Sequence, residues 1–481
     1  MKKFISENKL IVVDYIILMF SLIVSIFDLK NSAIILLIIA SLILIKIVKD
    51  IVENYISFSV LFTAFHVLYG LSGVISKCWF NQLSTTYGRY FVYSPYLIAY
   101  SLCTIALLTG IIIANNKYND NKYNYNKKDI EEKTIKNFFL FIAYCGLGMT
   151  SVCEIINLIR VGGLNTLLAG KAIYQATVDE LIFTIPTQYI FQVAVAALGI
   201  YIYIILKNKE KIAISKICIC IILALPYIIT IILLGRRGVI LATILILTIS
   251  IFQVKPLKKI SLKLIAIVVV IYVSLGTLYA VRNDIKLLFK DFKEFCNTVS
   301  IQNIIRNLNP AMTEFGCTYG NFNRFYIMGG EPLLYGKSYL QGWIHIVPTY
   351  LYPGEKPRMI TYEFRDKYFP AKAEISSIAS TGFSSILETY WNFWYFGAII
   401  YVGYGYLLIF LEKNLKNKNY FYMLFYVSTI TITYSFHRSE FGHSISEIII
   451  VAMEILVIYW FNKKIYNSNN KMFNFIRDKI K

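Results

Sequence analysis

Residues 212–254 read IAISKICICIILALPYIITIILLGRRGVILATILILTISIFQV: two apolar runs, 212–234 and 238–254, divided by Gly235-Arg236-Arg237-Gly238. A helix rises about 1.5 Å per residue, so runs of this length cross most of a hydrocarbon core about 30 Å thick. Ten more such runs follow from the same reading: 10–27, 32–48, 56–75, 92–114, 136–159, 184–206, 262–281, 386–411, 420–436 and 444–461. Composition agrees. The chain is 57% hydrophobic and 16% charged, with mean hydropathy +0.58, against about 45–50% apolar and about 25% charged for soluble domains. The expected fold class is an all-α polytopic membrane protein with about twelve transmembrane helices. A soluble enzyme, a secreted disulfide scaffold and a single-anchor receptor are excluded.

The formal charge of +20 raises the question of a nucleic-acid partner, and the placement of the basic residues answers it. With the N-terminus inside, 28 basic residues fall on inner connections and helix ends, in the groups Lys2–Lys9, Lys46–Lys49, Lys117–Lys136, Lys207–Lys216, Lys255–Lys263, Lys413–Lys418 and Lys463–Lys481. Short outer connections hold 8, and the other 12 belong to Arg282 and the long segment behind it. Long translocated loops count little toward orientation, so short connections decide it. The expected layout is membrane helices one to nine in residues 1–281 and a large extracytoplasmic loop at 282–385. Helices ten to twelve follow in 386–461, then a tail at 462–481. Both termini are expected in the cytoplasm, and nucleic acid is not expected as a partner.

The first helix has no small-residue cleavage motif behind it and reads as an anchor that stays. The cysteines show no zinc-type spacing, and those inside apolar spans behave as small hydrophobes. No metal is assigned. Asn115–Lys128 is polar and low in complexity, as a cytoplasmic loop would be.

Three features depart from a plain bundle. The outer segment opens with Ile285, Leu288, Phe289, Phe292, Phe295 and Val299 at helical spacing, with Lys286, Lys290 and Lys293 on other faces. That pattern predicts an amphipathic helix along the outer lipid interface. Beyond it six prolines preclude long helices, and the crowded aromatics suit either sugar stacking or an interfacial belt. Second, ten of eleven arginines face out, whereas 27 of 37 lysines face in. Arginine grips phosphate with a rigid two-pronged donor set and cannot lose its charge, so the outer face suits a bound diphosphate. The pair Arg236 and Arg237 is the sharpest case, because paired charges at this depth are costly without a partner; snorkelling to lipid headgroups is the competing account. Third, polar groups cluster at helix ends on that side: Glu388 after Ser380–Ser385, and His437-Arg438-Ser439-Glu440-Phe441-Gly442-His443, with Glu447 and Glu454 behind. His345 also faces out, while His66 sits inside an apolar run.

Arg160-Val161-Gly162-Gly163, Gly235-Arg236-Arg237-Gly238, Tyr335-Gly336-Lys337-Ser338-Tyr339, the run from Ile346-Val347-Pro348 to Arg358, and Gly382-Phe383-Ser384 to Phe393 are short motifs in a fixed order. Together with the topology, that order resembles the bacterial oligosaccharide repeat-unit polymerases, the Wzy-type O-antigen and capsule polymerases. The resemblance implies a GT-C-like membrane glycosyltransferase that needs no metal or other cofactor. Its substrates would be undecaprenyl-diphosphate-linked oligosaccharides, its surroundings membrane lipids, and its pathway neighbours a flippase and a chain-length regulator. Departure of a sugar from a diphosphate puts charge on the leaving group, which arginines stabilise, and the acceptor hydroxyl needs a base. Arg236 and Arg237 are therefore expected to hold the diphosphate, supported by Arg160, Arg324 and Arg438. Glu388 or His437 is expected to act as the base, with Glu440 and His345 behind them. An O-antigen ligase shares this topology and chemistry; a lipid-linked oligosaccharide flippase would place charges in a central cavity and lack the large outer segment.

Overall fold

The computed structural model describes residues 9–83, 91–118, 132–168, 174, 177, 187–281, 293–294, 305, 308–312, 314–347, 352–371, 382–415 and 419–480, without side chains at 132–134, 168, 279–281, 311, 415 and 465–480. Most of the expected amphipathic helix at 285–299, most of Asn115–Lys128, and Arg282 lie outside the described residues.

Among the described residues the chain is helical, with no strand. Lipid offers no partner for backbone amides, so each span must satisfy its own by i to i−4 bonding. The first half contains α1 (Lys9–Ile26), α2 (Lys30–Val52), α3 (Phe58–Phe80), α4 (Ser94–Tyr118), α5 (Glu132–Arg160), the short α6 (Leu164–Leu168), α7 (Thr187–Lys207), α8 (Ile214–Leu233), α9 (Arg237–Val254) and α10 (Leu262–Val281). Among the described residues of the outer segment the α-helices are short: α11 (Cys317–Ile327), α12 (Lys337–Ile346) and α13 (Ile360–Tyr368). The last part contains α14 (Ser385–Phe393), α15 (Ile400–Phe410), α16 (Tyr420–Ser428), α17 (Ile432–Ser435) and α18 (Phe441–Ile480).

Ten helical stretches among the described residues are long and apolar enough to cross a membrane, against the twelve expected. Two of the expected spans account for the difference. One is α10, which occupies the whole expected span as a single 20-residue helix, Leu262–Val281, and of which Leu262–Leu278 is the stretch described with side chains. The span expected at 420–436 is not one α-helix: 3-10 turns at Thr429–Thr431 and Phe436–Arg438 interrupt it. The run Thr429-Ile430-Thr431-Ile432-Thr433 is β-branched throughout, and the Thr433 hydroxyl donates to the Ile430 carbonyl three residues back at 2.7 Å. Stiff, crowded side chains that bond their own backbone loosen regular helix.

Small residues set the helix crossings. A methyl group at Gly110 would strike the Val402 carbonyl, and one at Gly405 would strike Leu107; α4 and α15 therefore touch backbone to backbone, as membrane helices do where side chains are minimal. Helix α7 is the most buried of the spans, while α1 and the apolar part of α18 are the most exposed. The outer segment joins the same core instead of lying free. Phe364 packs on Tyr368 with ring centroids 4.8 Å apart and on Phe383 at 5.3 Å, and Phe325 meets Trp391 at 5.1 Å. Many of the aromatics that suited sugar stacking or a lipid belt are packing groups, because the short helices of this segment have no other apolar surface to bury.

The connections sort to two ends of the bundle. At one end Asn54 donates to the Phe252 carbonyl at 3.3 Å, and Lys136 pairs with Glu210. At the other, Asn309 donates to Gln82 at 2.7 Å and Glu314 lies between Arg237 and Arg438. The outer segment meets the bundle only at this second end among the described residues.

Candidate functional site

The turn between α8 and α9 reverses within a few residues. Gly235 takes φ +57°, a left-handed conformation that costs a side-chain-bearing residue and suits glycine. Arg236 caps the start of α9 and Arg237 is its first residue. The open amides and partial positive charge of a helix start favour anions, and two arginines add to that field instead of cancelling it. The turn is pinned from across the bundle: the Tyr434 hydroxyl donates to the Gly238 carbonyl at 2.9 Å.

The two arginines are held differently. Arg237 lies 3.1 Å from Glu314, and Glu314 also pairs with Arg438. Burial pushes the Glu314 carboxyl up, but the guanidinium groups of Arg438 and Arg237 outweigh it and hold it at about 2. Glu314 is therefore ionised at any working pH. Arg236 has no ion pair among the described residues; its guanidinium carbon lies 5.8 Å from the ring centroid of Tyr174. Tyr174 in turn donates to Glu154 at 3.4 Å, as does Thr187 at 3.0 Å. Tyr174 also packs with Val161, Leu167 and Leu234 in a small apolar cluster. Val161 thus brings the Arg160–Gly163 motif against the arginine turn, although the Arg160 side chain itself is exposed.

A cavity of about 490 Å³ opens beside this turn. Arg236, Arg237, Arg438 and Glu314 line one part of it, and Glu440 and His443 another. Glu447, Thr431 and Ser435 form a polar surface deeper along the helices, and Met359, Thr361 and Tyr362 reach in from the outer segment. Glu440 is only 4% exposed, and burial raises its carboxyl to about 7 even though it accepts from the Thr361 amide at 2.9 Å. A carboxyl poised there can take up a proton near neutrality.

The other expected bases and phosphate ligands do not line the cavity. Glu388 is buried and accepts from the Ser338 hydroxyl at 2.7 Å and from the Phe441 amide at 2.8 Å; it ties α14, α12 and the start of α18 together. The His437 ring is buried against Phe62 and His66, with Nε2 3.1 Å from the Phe62 carbonyl. His345 sits in the last turn of α12, where burial and the nearby Lys356 lower its pKa. Arg324 donates from Nε to the Tyr368 carbonyl at 3.1 Å, inside the outer segment. Conversely, Glu314, Tyr362 and Tyr174 were not singled out by sequence. No local motif surrounds them, and each differs from its many neighbours of the same type only in what it faces.

The family model for O-antigen polysaccharide polymerase Wzy matches residues 10–470. The chain belongs to that family. It is thus a multi-pass membrane glycosyltransferase of polysaccharide biosynthesis, which polymerises lipid-linked repeat units. No curated protein and no solved structure matches the chain. For this polymerase the match spans nearly the whole chain, so the motifs quoted above and the cavity both lie within it.

Proposed function

We propose that this polymerase moves a growing glycan from undecaprenyl diphosphate onto a sugar hydroxyl of a single lipid-linked repeat unit, at the outer face of the cytoplasmic membrane. In this reading the chain has twelve spans in a GT-C-like arrangement, α10 and the broken run 420–438 being two of them, and both termini are cytoplasmic. The lysine-rich connections at 207–216 and 255–263 support the orientation, since they lie at the ends of α8 and α9 opposite the arginine turn that opens on the cavity.

The observation that carries the reading is that three guanidinium groups and one carboxyl of raised pKa line a single cavity. Arg236, Arg237 and Arg438 would hold the diphosphate. As the bond from the anomeric carbon to the phosphate oxygen breaks, its electron pair and the developing charge go to the diphosphate, where preorganised donors act most strongly. The acceptor oxygen forms the new bond to that carbon, and its proton goes to Glu440. His443, exposed on the same wall, passes the proton on to water.

Deletion of the gene should leave cells with single repeat units on their surface acceptor and no ladder of longer chains. A plasmid copy should restore the ladder, and an Arg236→Ala copy should not. Long chains in the deletion strain would sink the proposal.

A further inference from the structure

Two motifs singled out in the sequence, Tyr335-Gly336-Lys337-Ser338-Tyr339 and the run from Gly382 to Phe393, line no part of the cavity, yet the fold brings them together. The amides of Leu334 and Tyr335 donate to the carbonyls of Trp391 and Asn392, each at 3.1 Å, and the Gly336 amide donates to the Asn392 side-chain oxygen at 2.9 Å. The Asn392 side chain then donates to the Ser338 hydroxyl at 2.8 Å, and that hydroxyl donates to Glu388 Oε1 at 2.7 Å. The chain of bonds continues into α18, where the Phe441 amide donates to Glu388 Oε2 at 2.8 Å. That amide belongs to the peptide joining Glu440 to Phe441.

We propose that Glu388, with Ser338 and Asn392 behind it, is a positioning residue for the transfer reaction. It fixes the backbone of Glu440 and so aims the carboxyl that takes the acceptor's proton. This assignment rests on the reading of Glu440 as the base.

Three observations support it. First, Glu440 stands at the cap of α18. The Ser444 amide donates to its carbonyl at 3.4 Å, and Phe441 is the first helical residue. Amides at a helix start have no acceptor within their own helix, and Glu388 supplies one from α14. A peptide is planar, so holding its N–H sets the direction in which the Glu440 side chain leaves the backbone.

Second, the Glu440 carboxyl is clamped separately, by the Thr361 amide of α13 at 2.9 Å. One element thus holds the backbone of the base and another holds its side chain. A group that must meet one hydroxyl within hydrogen-bond reach needs supports of this kind.

Third, α12 meets α18 beside this bond with little slack. A methyl group at Gly342 would come within 2.8 Å of the Gly442 Cα, and one at Gly442 within 2.9 Å of the Gly342 Cα. Tyr339 packs edge-on against Phe441, with ring centroids 5.3 Å apart. Contacts this close leave no room for a neighbour to shift, so the place of Ser338 on α12 is carried through Glu388 to the start of α18. Ser338, Glu388 and Asn392 are all buried, which keeps water from competing for their bonds.

The test is in vitro polymerisation of lipid-linked repeat unit by the purified full-length protein, with farnesyl diphosphate affinity as the measure of the arginine side. Glu388→Ala should lower kcat by about 10- to 100-fold, the cost of a misplacement near 1 Å, and leave KM and farnesyl diphosphate affinity unchanged. Glu388→Gln keeps an acceptor oxygen for the Phe441 amide and should hold the rate within about threefold of wild type. The deciding comparison is made in a Glu440→Gln background, under single turnover with protein in excess. There Glu388→Ala should cost nothing further, because a residue that acts through Glu440 has nothing left to aim. Ser338→Ala gives the same comparison should Glu388→Ala fail to fold. Losses that add in full would refute the proposal, since a carboxyl that only holds the fold together costs the same in either background. Loss of farnesyl diphosphate affinity in Glu388→Ala would refute it as well. A wild-type rate in Glu440→Gln alone would overturn the base reading, and this assignment with it.

Discussion

Lysine substitutions at the arginine pair should separate two residues that sequence alone treats as equal. Arg237 already lies 3.1 Å from Glu314, whereas Arg236 lies over the Tyr174 ring at 5.8 Å with no ion pair among the described residues. Under the diphosphate reading, the Arg236 guanidinium is the one of the three with no carboxylate competing for its donors among the described residues. Arg236→Lys keeps the charge and loses the two-pronged geometry. Losing one charge-assisted contact costs about 1.5–3 kcal/mol, and weaker stacking on Tyr174 removes up to about 1 kcal/mol more. Since about 1.4 kcal/mol is tenfold in rate, polymerisation should slow by roughly 10- to several-hundred-fold. In Arg237→Lys an ammonium can still meet Glu314, so a loss near fivefold, about 1 kcal/mol, is expected. The assay is in vitro polymerisation of lipid-linked repeat unit by purified wild type and both variants at equal protein. Wild-type rates in both would mean that the arginines serve lipid headgroups, which lysine reaches equally well. Equal large losses would refute the division of labour between them.

The remaining expectations concern the base, the packing and the orientation. The Glu440 carboxyl is raised to about 7 by burial and must be ionised to accept a proton, so kcat/KM should rise as pH climbs through about 7 and fall below it. Glu440→Gln should cost about 10²- to 10⁴-fold in rate and flatten that limb; an unchanged pH profile would remove Glu440 from the reaction. Gly110→Leu and Gly405→Leu should each force α4 and α15 apart, since even a methyl group at either position meets backbone. Overpacking costs about 1–3 kcal/mol and often more, read as lower thermal stability and poor monodispersity in detergent; wild-type behaviour would mean the crossing is looser than the backbone contact implies. A reporter active only in the cytoplasm should be active when fused at Asn124 or after Lys481 and silent at Lys337, and activity at Lys337 would invert the proposed topology.

Sequence located the spans well because a long apolar run has one economical solution in lipid. The runs 212–234 and 238–254 became Ile214–Leu233 and Arg237–Val254, within two residues at each end. Prolines likewise marked the outer segment as a region of short helices, and α11 to α13 are short. The broken run 420–438 was less legible, because hydropathy is blind to the difference between an α-helix and a series of 3-10 turns. The site divides in the same way. Arg236 and Arg237 stand out because two apolar helices flank them, whereas Glu314 is one acid among many in its segment. Glu388 and His437 drew notice as polar groups at outer helix ends, yet both are buried with local partners away from the cavity wall. Position along the chain places a residue at the right membrane depth. It does not say which face of the helix end the residue occupies, and that choice separates a structural carboxylate from one lining a cavity.

Three arginines around one half-buried cavity would repel one another if nothing offset them. Glu314 offsets them: held ionised at a pKa of about 2, it bridges Arg237 and Arg438 and leaves Arg236, over the Tyr174 ring, without a carboxylate partner among the described residues. Under the diphosphate reading this arrangement has a consequence for catalysis. A site with three uncompensated cations would bind the substrate's diphosphate and the product's alike, and tight uniform binding does not speed the chemical step. With Glu314 in place, the resting attraction is smaller, and the carboxylate competes for the same guanidinium groups. The leaving diphosphate is more negative than the glycosyl-linked one, so it competes better against Glu314 as the bond breaks. The network therefore favours the transition state over the ground state through a shift of arginine donors from carboxylate to phosphate, with no group entering from outside the cavity. The same competition aids release, since Glu314 remains beside Arg237 and Arg438 to reclaim them once the lipid diphosphate leaves.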